Sequence, residues 1–140
     1  MRMHEYAEKI ASIGAAANPT FMTLGITPVS WGGGQAVLKM KASDKMHNGI
    51  GFLQGGFYVI LADEAIALAI LAELDPGSGT TTISETTEFI RGTKDDEIFA
   101  VAKIIRKGRR IVFAEAEVRR GSVEGDLLSK TSTSYLITQC

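Results

Sequence analysis

HNGIGFLQGGFYVILADEAIALAI, residues 47–70, is the stretch whose reading decides the fold. From Phe57 to Leu71 every residue other than Asp63 and Glu64 is Ala, Val, Ile, Leu, Phe or Tyr. A helix of that composition is apolar all round and has to be enclosed by other structure. Gly55 and Gly56 fall where it begins, and it ends at Asp75-Pro76-Gly77, since proline and glycine cannot continue it. Two carboxylates in its middle are costly. A desolvated carboxylate finds donors or shifts its pKa upward, which is how proteins make a general base or a nucleophile from Asp or Glu. Adjacent helical residues point about 100° apart, so only one of the pair can face a given substrate. A membrane span over 55–74 is argued against by the central carboxylates and by the missing Lys/Arg flank.

Outward from this helix the pattern changes. Residues 3–17 predict a short amphipathic helix, with Tyr6, Ile10, Ile13 and Ala17 at roughly helical spacing, stopped by Asn18-Pro19. Residues 24–30 and 36–41 predict a hairpin across Trp31-Gly32-Gly33-Gly34. After the helix, strands are expected over 80–91, 97–106, 110–119 and 127–137, with turns at Asp95-Asp96, Lys107-Gly108 and Gly121–Asp126. Val112, Ala114, Ala116 and Val118 alternate with Phe113, Glu115 and Glu117, so one face can pack on a helix while the other meets water. Two early strands, one long helix and an antiparallel meander make an α+β domain in which the sheet wraps the central helix.

At 140 residues the chain is expected to be one domain, with no linker, repeat or low-complexity tract, and small enough that oligomerisation would add useful burial. Hydrophobic residues at 45% and charged residues at 22% are those of a soluble globular protein. A net charge of −1 argues against a general nucleic-acid binder. The only cysteine is Cys140, so no disulfide can form within the chain, which suits a reducing cytoplasm. MRMHEYAEKI has no apolar core or cleavage-like site, and no secretory signal is read there. His4 and His47 have no second ligand at metal spacing, so no metal is expected. No Ser-centred nucleophile elbow and no phosphate-binding Gly-rich loop of the nucleotide-binding kinds occurs.

Asn48, Gly51-x-x-Gln54-Gly55-Gly56 and Leu61-Ala62-Asp63, in that order, resemble the signature of hotdog-fold thioesterases of the phenylacetic-acid-degradation type. The likeness continues through Thr82-Ile83-Ser84-Glu85-Thr86-Thr87-Glu88-Phe89-Ile90-Arg91 and the basic run Ile105-Arg106-Lys107-Gly108-Arg109-Arg110, covering most of residues 35–137. The signature has one departure, Gln54 where relatives usually carry His. The resemblance implies a hotdog fold and hydrolysis of an acyl-CoA thioester, with coenzyme A entering as part of the substrate and no other cofactor. It also implies at least a dimer, with tetramers usual. Each site would combine Asn48, Gln54 and the glycines of one subunit with Asp63 and Thr82 of the other.

Thioester hydrolysis needs a nucleophile or activated water, donors for the developing oxyanion, and room for the acyl and CoA portions. Asp63, nine positions after Gln54 where the resemblance places the catalytic carboxylate, is the expected base or nucleophile and Glu64 its rival, with a solvent-reaching carboxylate as the plainer account of Glu64. Gly55 supplies a helix N-terminal amide to the carbonyl oxygen, with Gly56 beside it. Asn48 resembles the residue that positions the carbonyl or the water, against an ordinary Asx-turn. Gln54 can orient but cannot titrate. Thr82, seven before Phe89, falls where relatives hold the water, with Thr81 the alternative and an exposed strand start the plain reading. Lys107, Gly108 and Arg109 would meet CoA phosphates, against a solvated turn, and Arg91 is a further substrate contact. Phe52, Phe57, Tyr58 and Ile90 could line an acyl pocket or belong to the core. A non-catalytic acyl-CoA binder on the same fold is the alternative function, and a hotdog hydratase ranks last because no His neighbours Asp63 in sequence.

Overall fold

The computed structural model describes residues 3–139; Cys140 and the side chain of His4 lie outside the described set. Three helices, α1 (Met3–Ile13), α2 (Pro19–Leu24) and α3 (Gly55–Leu71), accompany six strands. These are β1 (Ile26–Gly32), β2 (Gln35–Lys41), β3 (Ser78–Phe89), β4 (Glu97–Lys107), β5 (Ile111–Arg120) and β6 (Leu127–Gln139). They form one antiparallel sheet in the order β1-β2-β4-β5-β6-β3. The sheet wraps α3, so the α+β hotdog expectation holds.

The core explains the wrapping. Strands β2, β4 and β5 turn Ala36, Leu38, Met40, Ile98, Ala100, Ala102, Val112, Ala114, Ala116 and Val118 inward, all buried. Many of these are alanines, so the helix axis can lie close to the sheet. Leu61, Ala62, Ala65, Ile66, Ala69 and Ile70 of α3 meet them and are wholly buried. Each large aliphatic side chain removed from water here contributes about 1.5–3 kcal/mol. The helix flank turned away from the sheet is partly covered by α1, which explains why α3 carries no polar stripe.

Four sequence expectations change. The N-terminal helix is not continuous to residue 17: α1 stops at Ile13, a 3-10 turn covers Gly14–Ala17, and a separate helix follows. Asn18, read as a stop, is the N-cap of α2, its Oδ1 accepting from Thr20 N at 2.9 Å, with Pro19 in the first turn. The cap and N1 proline start a helix as readily as they end one, and β1 therefore begins at Ile26. Its hairpin turns at Gly33-Gly34 alone, with φ of 63° and 76°. Trp31 stays in the ladder opposite Ala36.

At its C-terminal end α3 stops at Leu71, about a turn before the proline, closing with tighter bonds from Glu73 N to Ile70 O and Leu74 N to Leu71 O. The fourth change is topological. Only β4, β5 and β6 form a meander. Strand β3 leaves the helix for the far edge beside β6, and residues 90–96 cross back so that β4 can pair with β2. The segment around Asp95-Asp96 is thus a crossover and not a hairpin turn.

Candidate active site

Asp63 and Glu64 emerge from the half-buried side of α3 into a cleft of about 430 Å³. Ala67 and Leu71 extend the helix wall, Thr80, Thr81 and Thr82 of β3 face it, Tyr135 of β6 stands beside them, and Met3, Tyr6 and Asn18 close the N-terminal side. Tyr135 is 2% exposed, and its hydroxyl donates to Asp63 Oδ1 and lies 3.4 Å from the Asp63 carbonyl oxygen. Burial and the hydrogen bond to Asp63 push the Tyr135 phenol far above its usual range, so it stays a donor. Glu64 is placed differently. Asn18 Nδ2 lies 3.4 Å from its Oε2 and 2.8 Å from the Tyr6 hydroxyl. Burial and the neighbouring Asp63 charge raise the Glu64 carboxyl, partly offset by Asn18.

A bulge in β3 shapes this cleft. Thr82 pairs with Tyr135 and Ser84 with Ser134, leaving Ile83 as the extra residue. Residues opposite one another in an antiparallel ladder share a face, so Thr82 follows Tyr135 inward and Glu85 follows Thr133 inward. Three positions apart, Thr82 and Glu85 would lie on opposite faces of a regular strand. Glu85 thereby reaches Asp63: the two carboxyls are within hydrogen-bonding range, and burial together with Asp63 holds the Glu85 carboxyl up at about 7.

The remaining sequence-predicted residues lie elsewhere. Asn48, Gly55 and Arg91 line a second cleft of about 310 Å³, with Phe52, Tyr58, Phe89 and Ile90. Phe57 is not in it and packs against the core. Asn48 Oδ1 accepts from Ile50 N at 3.0 Å and Phe52 N at 3.1 Å, so its oxygen holds the loop and only its amide NH2 is left to meet a ligand. Gln54 is the N-cap of α3 with an exposed side chain that makes no cap bond. Gly55 and Gly56 begin the helix, where amides have no intrahelical acceptor. A Cβ on Gly55 would stand 3.2 Å from the exposed Phe89 ring, a tight contact that the ring would have to yield to by a few tenths of an ångström. Arg91 pairs with Asp126 at 3.2 Å on the surface.

Lys107, Gly108 and Arg109 line a third cleft of about 240 Å³ with Asp75, Ser78 and Gln139. Lys107 Nζ donates to the Glu73 carbonyl at 2.5 Å, closing off the end of α3. Eight residues of α-helix separate Gly55 from Asp63, a rise of about 12 Å. No single carbonyl can touch the amide of one and the carboxylate of the other within one chain. Among the described residues, no group of three or more His, Cys, Asp or Glu side chains is arranged to hold a metal ion, and no helix is long and apolar enough to cross a membrane.

The sequence profile of the thioesterase superfamily matches residues 50–125, which run from the Asn48 loop to the turn after β5. The chain belongs to the thioesterase superfamily. It is 26% identical over 87 residues to a 1,4-dihydroxy-2-naphthoyl-CoA hydrolase of Listeria monocytogenes serotype 1/2a (strain 10403S), covering 62% of this chain and 71% of that protein. A thioesterase crystal structure from Haemophilus influenzae superposes with a TM-score of 0.80 at 22% identity, over 87% of this chain and 84% of the other. A variant of a phenylacetic acid degradation protein from Thermus thermophilus gives 0.77 at 23%, over 85% and 98%. The protein is thus a thioester hydrolase with the hotdog fold.

Sequence reasoning about this thioesterase missed Tyr135, Glu85, Thr80 and the Tyr6–Asn18 pair. For Tyr135 a signal existed: Ser129, Thr131, Thr133 and Tyr135 alternate along β6 and all are buried, an unusual run of polar side chains for a core face. Glu85 carried none, because its inward aim depends on the bulge.

Proposed function

We propose that this thioesterase hydrolyses an aryl- or medium-chain acyl-CoA at a site shared between two copies of the chain, with Asp63 as the base or nucleophile. The observation that carries this reading is Asp63 itself, one of two carboxylates set in an otherwise apolar helix, and the one gripped by a buried tyrosine and opened to a cleft. Free amides at Gly55 and Gly56 of one copy would receive the carbonyl oxygen, and Asp63 of the other would act on the carbonyl carbon. The separation of about 12 Å along α3 favours such sharing. Strand β3 offers a surface for it, being a 12-residue edge with Ile83 and Phe89 exposed.

In the general-base route Asp63 removes a proton from water as the oxygen attacks the carbonyl carbon. The tetrahedral oxyanion is held by the two amides, and its collapse breaks the C–S bond. The CoA thiolate leaves and takes up a proton, and the free acid departs. In the nucleophilic route Asp63 itself attacks, the thiolate leaves, and water hydrolyses the resulting anhydride. Thr82 and the Asn48 amide are suited to hold the water or the carbonyl. The apolar lining of the second cleft, Phe52, Tyr58, Phe89 and Ile90, suits an aryl or alkyl tail. Arg109, exposed beside the third cleft, suits a CoA phosphate.

The test is release of free CoA from phenylacetyl-, hydroxybenzoyl- and straight-chain CoA esters, with wild type, Asp63→Asn and Glu64→Gln in parallel. Asp63→Asn should lower turnover by about two orders of magnitude or more, and Glu64→Gln far less. Turnover lost in Glu64→Gln and kept in Asp63→Asn would show that the other carboxylate carries the chemistry. No release from any ester by wild type would favour an acyl-CoA binder.

A further inference from the structure

We infer that Glu85 and Asp63 share a single proton, carried on Glu85 and donated to the Asp63 carboxylate, so that Glu85 is a positioning residue for Asp63. The inference rests on the proposed role of Asp63 only for its kinetic consequence. Its basis is geometric. The β3 bulge at Ile83 turns Glu85 onto the face of the sheet that carries Tyr135 and Thr133, beside the half-buried Asp63. Glu85 Oε2 is shut off from solvent and meets no protein donor, yet the group within hydrogen-bonding range of this side chain is another carboxyl. Two carboxylates accept and cannot donate, so a bond between them exists only when one holds a proton.

The surroundings decide which one. Asp63 already receives the Tyr135 hydroxyl on Oδ1, so it has a donor without holding a proton of its own. Glu85 has no such donor and its carboxyl is held up by burial and by the Asp63 charge. From α3 the facing group is Asp63, with Glu64 next to it held instead at Asn18; from β6 they are Tyr135 and Thr133; on β3 itself they are Thr82 and Thr87. The charge acting on Glu85 is that of Asp63. With its proton in place, Asp63 is clamped between two O–H donors from two strands. Loss of that proton sets two anions in contact and releases the clamp.

The experiment has two arms. In the free protein, carbon-13 carboxyl NMR should show one glutamate resonance titrating near neutrality and absent from Glu85→Gln. Titration of Glu85 in the ordinary range, about 4.3, would overturn the shared proton. In the second arm, kcat/KM of wild type should fall about tenfold over the unit of pH above that titration, as expected when only the protonated form is competent. Glu85→Gln, whose amide donates at every pH, should keep the activity and lose this limb, and Glu85→Ala should be low throughout. A Glu85→Gln profile that coincides with wild type would overturn the positioning role. If no thioester is turned over, the proposed function fails while the NMR titration still decides the shared proton.

Discussion

Replacing Tyr135 with Phe removes one oxygen from a side chain that is 2% exposed and leaves the ring to pack as before. What is lost is the hydroxyl's bond to Asp63 Oδ1 and its 3.4 Å approach to the Asp63 carbonyl. A hydrogen bond to a charged group contributes about 1.5–3 kcal/mol. Asp63 is only half-buried and opens to the cleft, so water can replace part of that bond, and the lower end applies. At about 1.4 kcal/mol per factor of ten, turnover should fall roughly tenfold. The Michaelis constant should change little if Asp63 is the reacting carboxylate as proposed, since the bond then orients it and does not hold CoA. Stability should fall by about 1 kcal/mol, a melting temperature lower by roughly 4 °C for a chain of this size. The assay is steady-state CoA release alongside thermal unfolding by circular dichroism. Full turnover in Tyr135→Phe would refute the argument that this phenol orients Asp63; an increase confined to the Michaelis constant would place it in substrate binding instead.

Arg109→Ala should raise the Michaelis constant for acyl-CoA while leaving turnover nearly unchanged, because a phosphate contact is the same in ground and transition states; an unchanged constant returns Arg109 to a solvated turn. Lys107 is the poorer probe because it also holds the Glu73 carbonyl. Asp63→Asn mixed and refolded with Gly55→Val, each inactive alone, should regain about a quarter of wild-type activity if the two halves of the site come from different copies of a two-fold dimer. No recovery, with mixed dimers shown to form, would rule out the shared site. The Glu85 carboxyl lies above its ordinary value of 4.5 in the folded state, at about 7. Folding therefore binds a proton across that window, and stability falls as pH rises through it. Glu85→Gln lacks this loss, so its melting temperature should gain on wild type between about pH 5 and pH 8; parallel curves would contradict the raised carboxyl.

The residue types of 55–71 by themselves determined the central helix, since nothing but enclosure accommodates fifteen consecutive positions with only Asp63 and Glu64 polar. They also marked Asp63 and Glu64 as costly carboxylates, with Asp63 preferred only through the family resemblance, and Gly55-Gly56 as the helix start. The alternation along 111–118 set which face of β5 is inward. These are local properties, read from periods of 3.6 and 2 that belong to one segment at a time. Strand order is not such a property. Strand β3 pairs with β6 across more than forty residues of chain, and a residue's sequence neighbours carry no trace of that choice. The two ends of the proposed site were likewise legible as types, while their place in two different clefts emerged only from the fold.

Glu85 shows the limit most clearly. By alternation from Thr82 it belongs on the opposite face, and one extra residue, Ile83, reverses it. Whether a strand takes up a bulge depends on the register its partner imposes. The inward turn of Glu85 toward Asp63 was therefore decided by the pairing of β3 with β6, and by nothing within β3 alone.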